Sequence, residues 1–342
     1  MLHGMEYRDW INQRLQINKE LLYLTENDVR SLKLTDDEVM DMTKKAMISY
    51  STKKSEMPAK IGIHPLKDTL MHAMPAAMPE YSSCGIKWGC CFPDNRSRFG
   101  YAQTTCTLVL NDFQSGAAIA FMDAVYITEI RTAAVAILAA QKFAPNPLHT
   151  IGMIGCGVQG KQQVRMMLNY FPSIRKVYIY DHYDKAMDEL IALTQPIANV
   201  SIQKSSFEEI AKNCQVILSA AYIPEKPNPE IKDGWLFKKG QTVISSDCHT
   251  FYEDITPKSA DKYFVDSIEE HELFVTYGLY PQGLPEITGE TGEALAGIKP
   301  GRENEQEFCF INNVGMAVED VIMARKIFDT ALEQGIGVKM PL

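Results

Sequence analysis

The sequence predicts an α/β protein of about two domains, and three observations support this fold class. The chain has 342 residues, which is enough for two domains of ordinary size. Its second half alternates short apolar runs with helical patterns, which is typical of a parallel sheet covered by helices on both faces. An apolar run at Ile151–Ile154 leads directly into a glycine-rich turn and a helical pattern. The strand, glycine turn and helix together predict a Rossmann nucleotide-binding unit.

The glycine turn has the sequence GCGVQG at residues 155–160. Gly155 permits a tight turn off the strand, Gly157 lets a pyrophosphate approach the backbone, and Gly160 lets the helix pack closely on the sheet. The free N–H groups at the start of the helix and its dipole favour anionic phosphates. This context predicts a dinucleotide site rather than an ordinary turn between a strand and a helix.

An acidic residue ends the next apolar run, Val177–Tyr180. This residue, Asp181, follows Gly160 by about 20 residues, where a carboxylate can accept hydrogen bonds from a ribose diol. A carboxylate at that position also repels a 2′-phosphate. The sequence therefore favours NAD over NADP as the cofactor.

Composition excludes several classes of function. The net charge of −9 argues against nucleic acid or an anionic membrane as the main partner. No window reaches the roughly 18 apolar residues that a membrane span needs, and the charged N-terminus lacks the apolar core of a signal peptide. The eight cysteines form no CxxC pair, so we expect reduced thiols and no metal site. These features predict a cytoplasmic protein.

The first 120 or so residues predict an α+β unit. Residues 5–20 have an amphipathic helical pattern, Leu21–Leu24 is a short strand, and Thr35 begins a capped helix that continues to about Ser51. Alternation of apolar and polar residues then predicts five antiparallel strands. These strands are Lys60–His64, Thr69–Ala76, Cys84–Cys91, Thr104–Asn111 and Ala117–Asp123.

A long alanine-rich helix, Ala124–Phe143, precedes the glycine turn and is ended by Pro145 and Pro147. The C-terminal region predicts a final amphipathic helix over Asn313–Gln334. Between them lie helices at Tyr183–Leu193 and Phe207–Lys212, and strands at Cys214–Ala220, Thr242–Asp247, Tyr263–Asp266 and Phe308–Ile311.

Polar residues follow the ends of several predicted parallel strands. Ligands bind outside the carboxyl ends of such strands, so Asp181, Ser219–Ala221, Asp247 and Asn313 are expected around one crevice. Asp247 is placed to act as an acid or base beside a nicotinamide. A helix cap or a loop turn is the structural alternative, and position alone leaves both open.

Arg131 is a cation inside a helix of small apolar residues, so some group must satisfy its charge. It could clamp a substrate carboxylate through its bidentate fork, or it could form an internal ion pair, for example with Glu129. Lys60 and Lys87 lie on predicted strands, where a solvated lysine is the common outcome. His72 fits a core or edge histidine better than a catalyst, and His249 is expected to be solvated.

Five stretches carry a resemblance to a known family: LLYLTENDV, IKWGCCFPDN, RTAAVAILAAQKFA, IGCGVQG and NNVGMAVED. Along nearly its whole length the chain resembles the ornithine cyclodeaminase/mu-crystallin family. The resemblance implies a substrate and dimerisation domain formed by residues 1–125 and 314–342, and a Rossmann NAD-binding domain formed by residues 126–313. It also implies a homodimer that acts on a small amino acid substrate.

The resemblance implies roles for individual residues. Lys60, Lys87 and Arg131 correspond to a clamp for the substrate carboxylate, and Asp247 corresponds to the catalytic aspartate, with Lys87 beside it in the catalytic set. His72 stands where ornithine cyclodeaminases carry a glutamate suited to the distal ammonium. The implied cofactor contacts are Gly155, Gly157, Val158, Gln159, Gly160, Asp181, Ser219, Ala220, Ala221, Asn313 and Val314.

The chemistry implied by the family centres on the Cα–N bond of an amino acid, with hydride transfer between Cα and the nicotinamide. Ornithine cyclodeaminase, which converts L-ornithine to L-proline and ammonia, is the first expectation. His72 weakens this expectation, and the segment KPGREN resembles relatives that oxidise N-(carboxyalkyl) amino acids. Opine-type dehydrogenases, alanine dehydrogenases and ketimine reductases are therefore alternatives. A non-catalytic binder like mu-crystallin is the alternative from another class.

Overall fold

The computed structural model describes residues 2–197, 200–224, 229–232 and 239–342. The chain forms two compact units: residues 1–131 together with 316–342, and residues 132–315. The division falls inside the alanine-rich helix at Arg131, and again directly after Gly315. Each unit is built around one β-sheet.

The first unit contains a seven-stranded sheet. The five strands predicted to be antiparallel are present and pair antiparallel with their neighbours. The strand Glu20–Leu24 instead pairs parallel with the fifth of them, from which it is separated in sequence by helices and by the other four strands. The sheet also has an edge strand, Val338–Pro341, that was not predicted. The five antiparallel strands are Ile61–Ile63, Leu70–Met78, Ser83–Cys91, Thr104–Asn111 and Ala118–Asp123.

The helices of the first unit follow from their capping residues. Thr35 accepts a hydrogen bond from the N–H of Glu38 and Glu38 reciprocates, so this helix spans Asp36–Ser51 as predicted. The N-terminal helix is shorter than the predicted residues 5–20: it ends at Asn12, and Asn18 has a left-handed φ of 66° that a helix cannot accommodate. The remaining helical segments are Glu26–Ser31, Pro79–Tyr81, Asn95–Arg98 and the start of Val125–Phe143.

The C-terminal helix, Ala317–Gln334, packs on the sheet of the first unit and on the helix Asp36–Ser51. It begins later than the predicted Asn313, because Gly315 has a φ of 87° and Met316 occupies the N-cap position. Most of its residues are buried, including the two acids Glu319 and Asp320. The last helix therefore completes the hydrophobic core of the first unit.

The second unit contains an eight-stranded sheet in which every neighbouring pair is parallel, as predicted for a Rossmann unit. The last strand in sequence lies inside the sheet, between the fifth and sixth strands. Two short edge strands, Ser201–Lys204 and Gly289–Glu290, were not predicted. In spatial order the strands are Gly289–Glu290, Lys262–Val265, Cys309–Asn312, Thr242–Ser245, Val216–Ser219, Thr150–Ile154, Lys176–Tyr180 and Ser201–Lys204.

The central strands of this sheet are almost wholly buried, which explains why they appear in the sequence as continuous apolar runs. Helices connect the parallel strands. The described helices are Val158–Tyr170, Asp184–Thr194, Phe207–Asn213, Ile255–Lys258, Ile268–Thr276 and Thr291–Ala296.

The KPGREN segment has a structural role in the second unit. Arg302 donates hydrogen bonds to the carbonyl oxygens of Phe143, Gln241 and Glu307 and to the Thr242 hydroxyl, at 2.7–3.0 Å. It thereby ties the end of the alanine-rich helix to the sheet.

Within the described ranges, no helix has the length and apolarity needed to cross a membrane. In the same ranges, no group of His, Cys, Asp and Glu side chains has the arrangement of a metal site.

Candidate functional site

The glycine turn of the second unit has the geometry of a phosphate cradle. Gly155 has a left-handed φ of 88°, which favours glycine. A Cβ on Gly160 would lie 1.9 Å from the carbonyl oxygen of Gly155, so only glycine lets the helix approach the turn. A Cβ on Gly157 would meet no atom within 4 Å, so the space above its backbone is open. Two glycines are thus required by the fold, and the third leaves room for a ligand.

Asp181 lies at the tip of its strand, next to this turn. Its carboxylate accepts hydrogen bonds from the N–H of Cys156 at 2.7 Å and the N–H of Tyr183 at 2.9 Å. Each oxygen has a further lone pair with which to accept a ligand hydroxyl. Asp181 therefore orients the glycine turn in addition to its predicted role at a ribose.

The parallel register brings the strand ends to one edge of the sheet. Tyr180, Ile154 and Ser219 are successive partners across three neighbouring strands. Ser219 pairs in turn with Ser245, and Ser245 pairs with Asn312. The residues that follow these partners include Asp181, Ala220 and Asn313. The crevice predicted at the carboxyl ends of the strands therefore has its polar groups along one edge.

Asp247 is fully buried at this edge. It accepts hydrogen bonds from the hydroxyls of Ser245 at 2.7 Å and Ser219 at 3.0 Å, and from the N–H of Ala221 at 3.2 Å. Burial raises the pKa of this carboxyl above its usual range, although the three hydrogen bonds act in the opposite direction. A carboxyl group with a raised pKa can exchange a proton more readily near neutral pH.

The predicted cofactor contacts have different local environments. Val158 is 57% exposed at the start of the helix, beside half-buried Gln159. Asn313 is buried, its side-chain oxygen accepts from Thr291 at 2.9 Å, and among the described residues its Nδ2 has no hydrogen-bond partner. An amide donor of this kind fits a ligand oxygen. Val314 follows it and is half buried.

Ser219–Ala221 were predicted as cofactor contacts, and the structure shows another use for this turn. The Ser219 hydroxyl and the Ala221 N–H both point at Asp247. The carbonyl oxygen of Ala220 lies 2.7 Å from the position that a Cβ on Gly155 would occupy. The turn therefore orients Asp247 and leaves no space for a side chain at Gly155.

The prediction that His249 is solvated was wrong. Its side chain is buried against Tyr280 and Tyr263, and burial lowers the pKa of the imidazole to about 3. The polar sequence around it gave no sign of this burial, because the covering tyrosines come from segments distant in the chain.

A buried group of four charges lies in the first unit. Lys87 Nζ is 2.6 Å from Asp320 Oδ2, and Arg131 Nε is 3.1 Å from Asp320 Oδ1. Arg131 Nη1 is 3.2 Å from Glu319 Oε2. All four side chains are at most 5% exposed, and their formal charges sum to zero. We call these residues the charge cluster.

The charge cluster resolves one alternative for Arg131. An internal ion pair is present, but its partners are Glu319 and Asp320 rather than Glu129, which pairs with Arg30 at 2.9 Å. Lys87 also donates to Thr128 Oγ1 at 3.3 Å. In the described part of the chain these contacts account for two of the three ammonium hydrogens of Lys87, so one is left for a ligand.

His72 lies close to two lysines in the same unit. Burial, followed by electrostatic interactions with Lys60, His64 and Lys87, lowers the pKa of its imidazole to about 3, so it is neutral at physiological pH. The ring lies over Gly62, whose added Cβ would be 2.7 Å from it. Lys60 is buried rather than solvated, which corrects the common expectation for a strand lysine.

Sequence reasoning did not assign a role to Glu319, Asp320, Ser245 or Thr128. The two acids stand in the motif VGMAVED, and their position one turn into a buried helix was a usable signal. Ser245 and Thr128 gave no such signal in the sequence, since serine and threonine occur at strand ends and in helices for many reasons.

Known proteins are similar to this chain over nearly its whole length. The model of the ornithine cyclodeaminase/mu-crystallin family matches residues 19–335. The chain is 30% identical to alanine dehydrogenase of Archaeoglobus fulgidus over 328 residues, which is 94% of this chain and 98% of the relative. It is 28% identical to N-((2S)-2-amino-2-carboxyethyl)-L-glutamate dehydrogenase of Staphylococcus aureus, covering 95% of this chain and all of the relative.

A solved structure is similar over the same extent. It is described as an archaeal alanine dehydrogenase dimer with bound NAD. The two chains are 28% identical and superpose with a TM-score of 0.82, covering 94% of this chain and 99% of the relative. The similarity includes both units and therefore both groups of candidate residues.

The charge cluster predicts that removing the charge of Arg131 strongly destabilises the protein. In the Arg131→Met variant the buried Glu319 and Asp320 both lose their ion pair with Arg131, so we expect a loss of about 3 kcal/mol in unfolding free energy. Lys45→Met removes an exposed ion pair with Asp41 and should cost less than about 1 kcal/mol. Urea unfolding of both variants checks this, and equal losses would contradict the importance of the cluster.

Proposed function

The chain belongs to the ornithine cyclodeaminase/mu-crystallin family, and we propose that it is an NAD-dependent oxidoreductase acting at the Cα–N bond of an α-amino acid. In the oxidative direction Cα of the amino acid gives up a hydride and its nitrogen gives up a proton, which leaves an imine. Hydrolysis of this imine by water then releases a 2-oxo acid and an amine. The reverse reaction reduces an imine. This proposal covers the dehydrogenase activities for which the relatives above are named, together with the reverse imine reduction, and favours both over cyclodeamination.

The neutral state of His72 is the observation that favours net oxidation or reduction of the substrate over cyclodeamination. A cyclodeaminase must accept a diamino acid, whose distal ammonium needs an acceptor or a negative charge. His72 is proposed to stand at the position of the family's glutamate. Its imidazole is uncharged and lies in the positive field of Lys60 and Lys87. A second ammonium there would be repelled rather than paired. The proposed substrate therefore has an uncharged or acidic side chain.

The proposal assigns the substrate carboxylate to Lys87 and Arg131, with Lys60 as a further cation. The remaining ammonium hydrogen of Lys87 is a suitable donor, because charge-assisted hydrogen bonds to a carboxylate are short and strong. Glu319 and Asp320 hold both cations in fixed positions. A carboxylate held in this way orients Cα, and orientation of a reacting atom is a large part of catalysis.

The second unit supplies the cofactor site and the proton-transfer group. The open backbone at Gly157, the carboxylate of Asp181 and the buried amide of Asn313 fit a dinucleotide. NAD, when bound, supplies the hydride acceptor. Asp247 is proposed to exchange a proton with the substrate nitrogen, which is the role that its burial and raised pKa support.

A substrate panel tests the proposal. The protein is incubated with NAD and, separately, L-alanine, L-glutamate, L-proline, an N-(carboxyalkyl) amino acid and L-ornithine, while NADH absorbance and proline formation are followed. We expect net NADH from at least one substrate other than ornithine. Many turnovers of ornithine to proline on substoichiometric NAD, without net NADH, would instead establish a cyclodeaminase. Absence of turnover on every substrate would favour a non-catalytic binder.

A pair of variants tests the part assigned to His72. His72→Glu places an acid near the proposed side-chain subsite, so the affinity for L-ornithine should rise by about tenfold, the equivalent of about 1.4 kcal/mol. His72→Gln keeps the subsite neutral and should leave ornithine binding unchanged. Isothermal titration with both variants measures the difference, and equal affinities would separate His72 from side-chain recognition.

The open space at Gly157 predicts a binding defect without a stability defect. Gly157 has a φ of −70°, which alanine adopts, so Gly157→Ala should leave the melting temperature unchanged. Its new Cβ would occupy the path of the pyrophosphate and should weaken NAD binding at least about tenfold. Gly89→Ala, whose Cβ would lie 3.7 Å from its nearest neighbours in the first unit, is the control. Unchanged NAD affinity in Gly157→Ala would rule out this cradle.

We also propose that the chain forms a homodimer through the sheet of the first unit. The C-terminal helix packs on one face of the sheet, and apolar residues line the other. On that face Phe121 pairs with Val109, and Val109 pairs with Ile86. Phe121 and Ile86 are 36% and 37% exposed. A second copy of the chain is the proposed partner, since the similar archaeal alanine dehydrogenase is described as a dimer.

A charge placed on this face should disrupt the dimer. Ile86→Glu would bury a carboxylate at the interface and should shift the protein to a monomer at micromolar concentration. Ile298→Glu, at a 59% exposed position of the second unit, should leave the protein a dimer. Analytical ultracentrifugation distinguishes the two results. A wild-type monomer, or a dimer that tolerates Ile86→Glu, would contradict this interface.

A further inference from the structure

The two oxygens of the buried Asp247 carboxylate have unequal hydrogen bonding. Oδ1 accepts from two hydroxyls, those of Ser245 at 2.7 Å and Ser219 at 3.0 Å. From the residues that the structure describes, Oδ2 accepts one hydrogen bond, which comes from the N–H of Ala221 at 3.2 Å. A carboxylate oxygen has about two acceptor positions, so Oδ1 is saturated and Oδ2 keeps one position open.

The hydrogen of the Ser245 hydroxyl is directed at Asp247 by its other contacts. Ser245 Oγ accepts the N–H of His249 at 2.9 Å and lies 3.5 Å from the N–H of Asp247. A hydroxyl has a single hydrogen, and two donors already face its lone pairs. That hydrogen must therefore go to Asp247 Oδ1.

The backbone after Asp247 is shaped to make this contact. Cys248 and His249 are successive non-glycine residues with left-handed φ values of 55° and 48°. This conformation is unfavourable for both residue types and turns the His249 N–H back toward Ser245. The imidazole of His249 is packed 4.7 Å from the Tyr280 ring and lies 3.4 Å from the Tyr263 hydroxyl and the Asn312 amide. The buried ring anchors the strained segment.

We propose that Ser219 and Ser245 are positioning residues of the proposed reaction, which anchor Asp247 through Oδ1 and leave Oδ2 as the atom that exchanges a proton with the substrate nitrogen. This inference rests on the proposed function, because it assigns a reacting atom to Asp247. A merely structural aspartate would have no need of one open oxygen. The proton moves between Oδ2 and the nitrogen, and no other bond changes in this step.

The hydroxyls also control how easily Asp247 takes up a proton. Hydrogen bonds from Ser245, Ala221 and Ser219 lower the pKa of Asp247 against the larger effect of burial. Among the described residues, Tyr252 is a titratable group that feels the charge of Asp247. Burial and that charge raise the pKa of Tyr252, so its phenol is neutral. The His249 imidazole is neutral as well. A change in the titration of Asp247 therefore reports on its own hydrogen bonds.

The test compares three proteins, each loaded with NAD: the wild type, Ser245→Ala and Ser219→Ala. Each change removes a donor to the ionised form, so the pKa of Asp247 should rise by about one unit. Carboxyl carbon NMR of protein labelled with carbon-13 aspartate follows the titration, and Asp247→Asn assigns the signal. With whichever panel substrate is turned over, the acid limb of kcat/KM should move to higher pH by the same amount.

Ser246→Ala is the matched control, because Ser246 is adjacent but contacts Gln163 at 3.4 Å rather than Asp247 through its hydroxyl. The titration of Asp247 in Ser246→Ala should match that in the wild type. Ser245→Cys keeps a weaker donor and should shift the pKa upward by a smaller amount, which keeps the test available if Ser245→Ala does not fold. An unchanged pKa of Asp247 in folded Ser219 and Ser245 variants would overturn the inference. Full turnover by Asp247→Asn would instead overturn the proposed function, whatever the titration shows.

Discussion

The fold of the first unit depends on the pairing of two buried acids with two buried cations. Glu319 and Asp320 come from the C-terminal helix, whereas Lys87 comes from a central strand and Arg131 from the alanine-rich helix. Each charge is costly to bury alone, and the cost is offset only when all four are present in good geometry. The ion pairs therefore hold the end of the chain against elements formed by its first 131 residues. The same contacts fix the two cations that are proposed to bind substrate.

The second unit depends on the register of its parallel strands. Because neighbouring strands end at the same level, side chains from distant parts of the sequence reach one edge of the sheet. Asp247 obtains hydrogen bonds there from the ends of two strands, and the glycine turn lies at the end of a third. The strained residues Cys248 and His249 are also found at this edge, which is where backbone strain commonly serves a site.

Periodicity and capping residues were sufficient to predict most of the fold. The glycine turn, the buried parallel strands and the Thr35 cap each combine a local signal with a single structural solution. The edge strands were missed because they are two to four residues long, and backbone pairing rather than an apolar pattern defines them. The N-terminal helix ends at Asn12, although the amphipathic pattern continues to about residue 20, and the left-handed conformation of Asn18 rules out a helix over that whole range.

The candidate site was less predictable, because its chemistry depends on distant partners. The sequence pointed to Arg131 and Asp247 as residues that needed partners, but it could not name Glu319, Asp320, Ser219 or Ser245 as those partners. The burial of His249 and the neutrality of His72 were also inaccessible, since each follows from neighbours on other strands. Local patterns specify elements, whereas pKa shifts and ion pairs arise only after the elements assemble.

The charge balance of the cluster bears on the kind of substrate that the protein can accept. Lys87, Arg131, Glu319 and Asp320 carry no net formal charge together, and Lys60 is the further cation that is proposed to balance a bound carboxylate. A zwitterionic α-amino acid adds no net charge, because its ammonium accompanies its carboxylate. A diamino acid adds a second ammonium, and the neutral His72 provides no charge to balance it. The distribution of charge therefore favours substrates with a single ammonium group, in agreement with an amino acid dehydrogenase or imine reductase.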